Sequence, residues 1–80
     1  MHDDEIERIG GMVREIGKID GVGPDDDFYD AGFSSVNSLE LLLQLEEAHE
    51  VGIPDDDFIA ARSVRALHEM VQRLKQGQEA

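Results

Sequence analysis

Eighty residues make one domain with room for a modest core but not for a deep enzyme cleft. Nineteen acids against seven bases give a formal charge of −12, which repels nucleic-acid phosphates and anionic lipid and favours basic protein surfaces. There is no cysteine, so disulfides, thiolate metal sites and thiol catalysis by the polypeptide are excluded, and any thiol would have to arrive on an attached group. With 40% apolar residues and no tryptophan, the core must come from Leu, Ile, Val and Met together with Phe28, Phe33 and Phe58. That palette suits packed helices better than sheet.

The amino-terminal MHDDEIERIG is charged and holds no apolar run of signal length, and no apolar span of roughly 18 residues occurs anywhere. A soluble, cytoplasmic chain is the expectation. From Asp3 to Ile19, a projection at about 100° per residue gathers Ile6, Ile9, Met12, Val13, Ile16 and Ile19 in one arc, with Glu7, Arg14 and Lys18 opposite. This predicts an amphipathic helix with acids in its first turn, as the helix dipole prefers. Gly10 and Gly11 each cost it roughly 1 kcal/mol relative to Ala, so it depends on tertiary contacts.

Between Asp20 and Ser34 no period survives. DGVGPDDDFYDAGF carries three glycines and a proline, which predicts a connection of about fifteen residues, a length seldom idle in a compact domain. Phe28 and Phe33 are expected to pin it to the core. A leucine-rich helix follows from Val36 to Val51, with Gly52 as its stop and Ile53-Pro54 as an extended link. DDDFIAAR reads as a short helix. Ser63 then caps a last helix with Val64, Leu67, Met70, Val71 and Leu74 on one stripe, Lys75 near its end and Gly77 as its stop. The expected fold is all-α: a small antiparallel bundle of three long helices and one short one, a single domain over residues 1–80, monomeric, with the long connection crossing one end.

The leucine-rich helix has two apolar faces. Leu41, Leu42, Leu45, Ala48 and His49 share one side and should face the bundle, whereas Val36, Leu39 and Leu43 share the other, beside Glu40 and Glu47. The second stripe is either covered by another helix or offered to a partner. Unpaired carboxylates are rarely buried, which favours the partner. An apolar centre with an acidic edge suits basic surfaces held by charge steering and a few aliphatic anchors.

The serines before this helix could be nucleophile, cap or attachment point. A catalytic serine needs a base within hydrogen-bond reach. The histidines are His2, His49 and His68; His49 would lie about 21 Å along the helix from Ser35, and the other two have no claim on the site from sequence. Ser34, Ser35 or Asn37 could cap the helix, and NSLE has the spacing of a capping box from Asn37 to Glu40. Since Ser34 and Asn37 suffice for capping, Ser35 needs another explanation. A helix start favours negative charge, so a covalently attached phosphate is compatible with that position. The acid triplets at 25–27 and 55–57 lack the alternating ligands, glycine and terminal glutamate of a calcium loop; helix-start acids and solubilising charge explain them more simply.

The run DDFYDAGFSSVNSLELLLQLEEAHEVGIPDDDF resembles the signature of acyl and peptidyl carrier proteins, and the likeness extends over nearly the whole chain, including SVRALHEMV. The resemblance implies that Phe28 is the anchoring Phe, Gly32 the loop glycine, and Ser35 the serine that carries 4'-phosphopantetheine taken from coenzyme A. It also places Val36, Leu39, Glu40, Leu43 and Glu47 on the partner-recognition surface, in agreement with the projection. Ser34, Val36, Ala31, Phe33 and His49 depart from the family's commoner residues and point away from a typical fatty-acid carrier. The spacing from Phe28 to Ser35 is nearer the peptidyl-carrier pattern, which favours an amino acid or related small acyl cargo.

The resemblance thus implies a free-standing, non-enzymatic carrier that holds an acyl or aminoacyl thioester. Its partners would be a phosphopantetheinyl transferase, an acyl- or aminoacyl-loading ligase and downstream acyl-transfer enzymes, met by diffusion, with no nucleic acid, membrane or metal involved. The alternative is an unmodified acidic helical module that binds a protein through the same stripe.

Overall fold

The computed structural model describes the backbone of residues 2–79 and the side chains of residues 4–77; the side chain of His2 lies outside that range. Four helices form: α1 (His2–Gly17), α2 (Ser38–His49), α3 (Asp55–Ala60) and α4 (Val64–Glu79). A 3-10 turn at Ser35–Asn37 leads into α2, and no strand occurs among the described residues. The predicted all-α architecture of three long helices and one short one is what forms.

Helix α1 packs on both α2 and α4, and α3 packs on α4. Ile9 and Val13 of α1 meet Leu41 and Leu45 of α2 and Val64, Leu67, Met70 and Val71 of α4 in one core, all of them buried. These are the residues that the helical periods gathered. His68 is also buried, at 7% exposure. Its Nε2 lies 3.1 Å from Glu5 Oε2, and the same carboxylate accepts from Gln72 Nε2 at 3.0 Å. Glu5 thereby links α1 to His68 and Gln72 of α4 through polar contacts.

Several element ends differ from expectation. Helix α1 stops at Gly17 because Lys18 turns left-handed (φ 55°) and the Ile19 amide donates back to the Arg14 carbonyl at 3.1 Å. Ile19 then packs on the core from the loop. Helix α2 ends at His49 with Glu50 left-handed, so Glu50 and not Gly52 is its stop. The Glu46 carboxylate accepts the Ile53 amide at 2.9 Å, which turns the chain towards α3. Helix α4 runs through Gly77 to Glu79, since a glycine weakens a helix by about 1 kcal/mol without obliging it to end. Ala48 is exposed, whereas Leu42 and His49 are half-buried. The Ser63 hydroxyl accepts the Ala66 amide at 3.1 Å, as a cap should.

The long connection is pinned as predicted. Phe28 and Phe33 are buried, and their rings meet edge to face at 5.2 Å with Tyr29 alongside. Phe33 can reach the core because Gly17 has no side chain: a Cβ there would fall 2.5 Å from Phe33 Cδ1. The triplet 25–27 does not begin a helix. Asp27 accepts the amides of Tyr29 and Asp30, and its other oxygen pairs with Arg62 Nε at 2.6 Å. Asp25 pairs with Arg65 Nε at 2.6 Å, and the Phe28 amide donates to the Arg62 carbonyl at 3.0 Å. The triplet is a clasp that fastens the loop to the start of α4, while the triplet 55–57 does occupy the first turn of α3.

Candidate functional site

Ser35 opens the 3-10 turn and is exposed. The preceding Ser34 is extended (φ −82°, ψ 142°) and its hydroxyl accepts the Val36 amide at 3.2 Å, so Ser34 is the cap. Asn37 makes no side-chain cap bond. The 3-10 entry holds Asn37 at φ −85°, ψ −6°, whereas a capping side chain needs an extended backbone, and the expected Asn37–Glu40 box does not form. Ser38 is engaged differently, its hydroxyl 3.1 Å from the Tyr29 hydroxyl. The Ser35 hydroxyl makes no hydrogen bond among the described residues, so it competes with no internal partner. An exposed, uncommitted hydroxyl on a turn fixed at both sides fits covalent attachment of a phosphoester.

Neither His49 nor His68 serves Ser35 as a base. His68 is held in the α1–α4 interface by Glu5, and His49 ends α2 at the far end from Ser35. Among the described residues, no group of three His, Cys, Asp or Glu side chains could hold a metal ion.

A groove of about 410 Å³ opens beside Ser35, lined also by Tyr29, Ser38, Phe58, Ile59 and Arg62. The Arg62 guanidinium lies 4.7 Å from the centre of the Tyr29 ring, a cation-over-ring arrangement. Its hydrogen bond to Asp27 holds that carboxyl below the usual aspartate range and raises the arginine's own pKa. Sequence reading missed Tyr29, Ile59 and Arg62. Ile59, 65% exposed, could have been flagged as the apolar residue of α3 that follows the buried Phe58.

The five residues expected on the partner face lie together. Val36, Leu39 and Leu43 are 84%, 63% and 55% exposed, and with Glu40, Gln44 and Glu47 they line a shallow apolar groove of about 430 Å³. Leu41 and Leu45 of the same helix are fully buried. Among the described residues no helix is long and apolar enough to cross a membrane.

Residues 7–71 match the family model described as "Phosphopantetheine attachment site". The chain is 33% identical over 64 residues to an aminoacyl carrier protein of Agrobacterium fabrum (strain C58 / ATCC 33970), covering 78% of this chain and 77% of that relative. Its fold matches, with a TM-score of 0.82 and 27% identity, the solution structure of a non-covalent extended docking domain complex of the Pax NRPS, PaxA T1-CDD/PaxB NDD, covering 94% of this chain and 72% of that one. These likenesses set aside the unmodified interaction module. A chain without cysteine gains its thiol from a covalent 4'-phosphopantetheine, and the protein belongs to the phosphopantetheine-binding carrier family.

Proposed function

We propose that Ser35 is the attachment point and that the chain carries an aminoacyl or related small acyl group between partner enzymes. The observation that carries the assignment is the Ser35 hydroxyl: exposed, without a hydrogen bond among the described residues, and beside a serine that already does the capping. In attachment, the Ser35 oxygen bonds to the phosphorus that bears the pantetheine of coenzyme A. The diphosphate bond breaks, adenosine 3',5'-bisphosphate leaves, and the serine proton passes to a base of the transferase. The arm supplies the thiol on which cargo is held as a thioester.

The polypeptide's own work is recognition, with no catalytic step. Val36, Leu39, Glu40, Leu43 and Glu47 form the face for a phosphopantetheinyl transferase, an acyl- or aminoacyl-loading ligase and downstream acyl-transfer enzymes. Aminoacyl cargo is supported by the name of the Agrobacterium relative, and non-covalent partnership by the docking complex of the Pax NRPS. Residues 1–80 make one carrier domain, monomeric and cytoplasmic in this reading.

Incubation with coenzyme A and a broad-specificity phosphopantetheinyl transferase, followed by intact-mass measurement, tests Ser35. Wild type should gain one phosphopantetheine and Ser35→Ala none. A Ser35→Ala chain modified as fully as wild type would refute the assignment.

A further inference from the structure

Attachment at Ser35 adds an anion to a chain already at −12, and the turn offers it little. The Val36 amide is taken by the Ser34 hydroxyl, the Asn37 amide by the Ser34 carbonyl and the Ser38 amide by the Ser35 carbonyl. A helix start normally stabilises phosphate through unpaired amides; three of those nearest Ser35 are already paired. The charged residues nearest Ser35 in sequence are negative, Asp27 and Asp30 on the loop and Glu40 on α2, and no lysine or arginine occurs between Lys18 and Arg62. Among the residues lining the groove that Ser35 shares, Arg62 is the cation.

Arg62 is also prepared for an anion. Its Nε is bonded to Asp27 and its planar head lies over Tyr29, yet its two Nη groups make no hydrogen bond among the described residues. The side chain is 54% exposed. A guanidinium fixed on one edge and open on the other loses little conformational freedom when its remaining donors take a phosphate, and its fork suits two oxygens at once. We infer that Arg62, held by Asp27 and Tyr29, receives the phosphodiester at Ser35 and sets the arm's departure along the Tyr29–Phe58–Ile59 groove. The arm then leaves towards α3, and the Val36–Leu39–Leu43 stripe stays open to partners. Arg62 is a positioning residue in this arrangement, and the inference rests on Ser35 as the attachment point.

The test uses the full chain with labelled arginine side chains, before and after pantetheinylation confirmed by mass, and reads arginine ¹⁵N and phosphodiester ³¹P resonances. Attachment should move the Arg62 side-chain resonances and leave those of Arg65, whose Nε pairs with Asp25 outside the groove. The ³¹P resonance should differ between wild type and Arg62→Gln. That difference should shrink as salt rises from about 0.1 M to about 1 M, where screening shortens from about 10 Å to about 3 Å. Asp27→Asn breaks the same clasp but keeps the cation, so it should retain a salt-sensitive ³¹P shift that Arg62→Gln loses. Stationary Arg62 resonances, or a ³¹P position changed equally by both variants, would overturn the inference alone; an unmodified mass would overturn the attachment and the inference with it.

Discussion

Four leucines of one helix provide a test of the division between core and partner face. Leu41 and Leu45 are fully buried, whereas Leu39 and Leu43 are 63% and 55% exposed. Truncating a buried leucine to alanine costs about 2–5 kcal/mol, through lost transfer energy and the cavity left behind. At roughly 0.05–0.15 kcal/mol per residue, a chain of this size has about 4–12 kcal/mol in total. Leu41→Ala or Leu45→Ala therefore removes a large share of it. With a urea m-value of about 1 kcal/mol/M, the midpoint should fall by about 2 M or more. Leu39→Ala and Leu43→Ala remove carbons that already contact water, so their effect should stay within about 0.5 kcal/mol and about 0.5 M.

Binding should reverse the order of effects. If Leu39 inserts its three lost carbons into a partner, about 0.8 kcal/mol each gives about 2.4 kcal/mol, or about fifty-fold in Kd. Urea melts followed by far-UV circular dichroism, paired with affinity for the transferase, measure both quantities on the same four variants. The division fails if Leu39→Ala or Leu43→Ala shifts the midpoint as far as Leu41→Ala does. The docking assignment fails if both exposed variants bind as wild type.

Two glycines of α1 should respond oppositely to alanine. A Cβ at Gly11 meets nothing within 4 Å, so Gly11→Ala should stabilise by up to about 1 kcal/mol and raise Tm by about 4–8 °C; Gly17→Ala drives a methyl into Phe33 and should lower it, with an overpacking cost of about 1–3 kcal/mol, and equal responses would mean that Phe33 does not rest on Gly17. Acidification should weaken the fold in two stages. His49 is held below its ordinary 6.5 by burial and then by Lys75, so the unfolded chain takes its proton first and stability falls as pH drops below that value. Glu5 is held below its ordinary 4.5 chiefly by its hydrogen bond with His68, so its contribution is complete above that value and lost as pH falls through the lowered pKa. Urea midpoints across this range should lose the upper slope in His49→Gln and part of the lower one in Glu5→Gln, the rest coming from Asp27, whose carboxyl is also held low by Arg62, and a flat wild-type profile would contradict these shifts.

The helices and the two faces of α2 were legible because each rests on a local period. Leu41 and Leu45 against Leu39 and Leu43 is a statement about angles on one helix, and no distant residue is needed to make it. Helix ends were less legible. Gly52 and Gly77 look like stops, yet the left-handed residue after α2 is Glu50 and α4 passes through Gly77, since the tertiary path and not the glycine decides where the hydrogen-bond ladder breaks. Asn37 failed as a cap for a similar reason: the 3-10 turn moved the true cap back to Ser34. Around the site, the Asp27–Arg62 and Asp25–Arg65 pairs span 35 and 40 residues, a separation at which no spacing rule links two charges. Arg62 and its groove were accordingly invisible in the sequence.

A helix that leaves Leu39 and Leu43 exposed leaves a small domain short of core, and the loop makes up the deficit. Val22, Phe28 and Phe33 supply buried apolar surface from a segment without helical period, and this also fixes the ground on which Ser35 stands. Phe33, two residues before it, is seated against Gly17 of α1, while Asp27 and the Phe28 amide tie the same loop to Arg62 at the start of α4. The position of the serine is thus set by two helices other than its own. Two of the seven bases serve the same loop. Arg62 and Arg65 are engaged with loop acids, and α2 contains no lysine or arginine. Glu40 and Glu47 flank the exposed leucines without an ion pair among the described residues, so uncompensated negative charge lies beside exposed apolar surface.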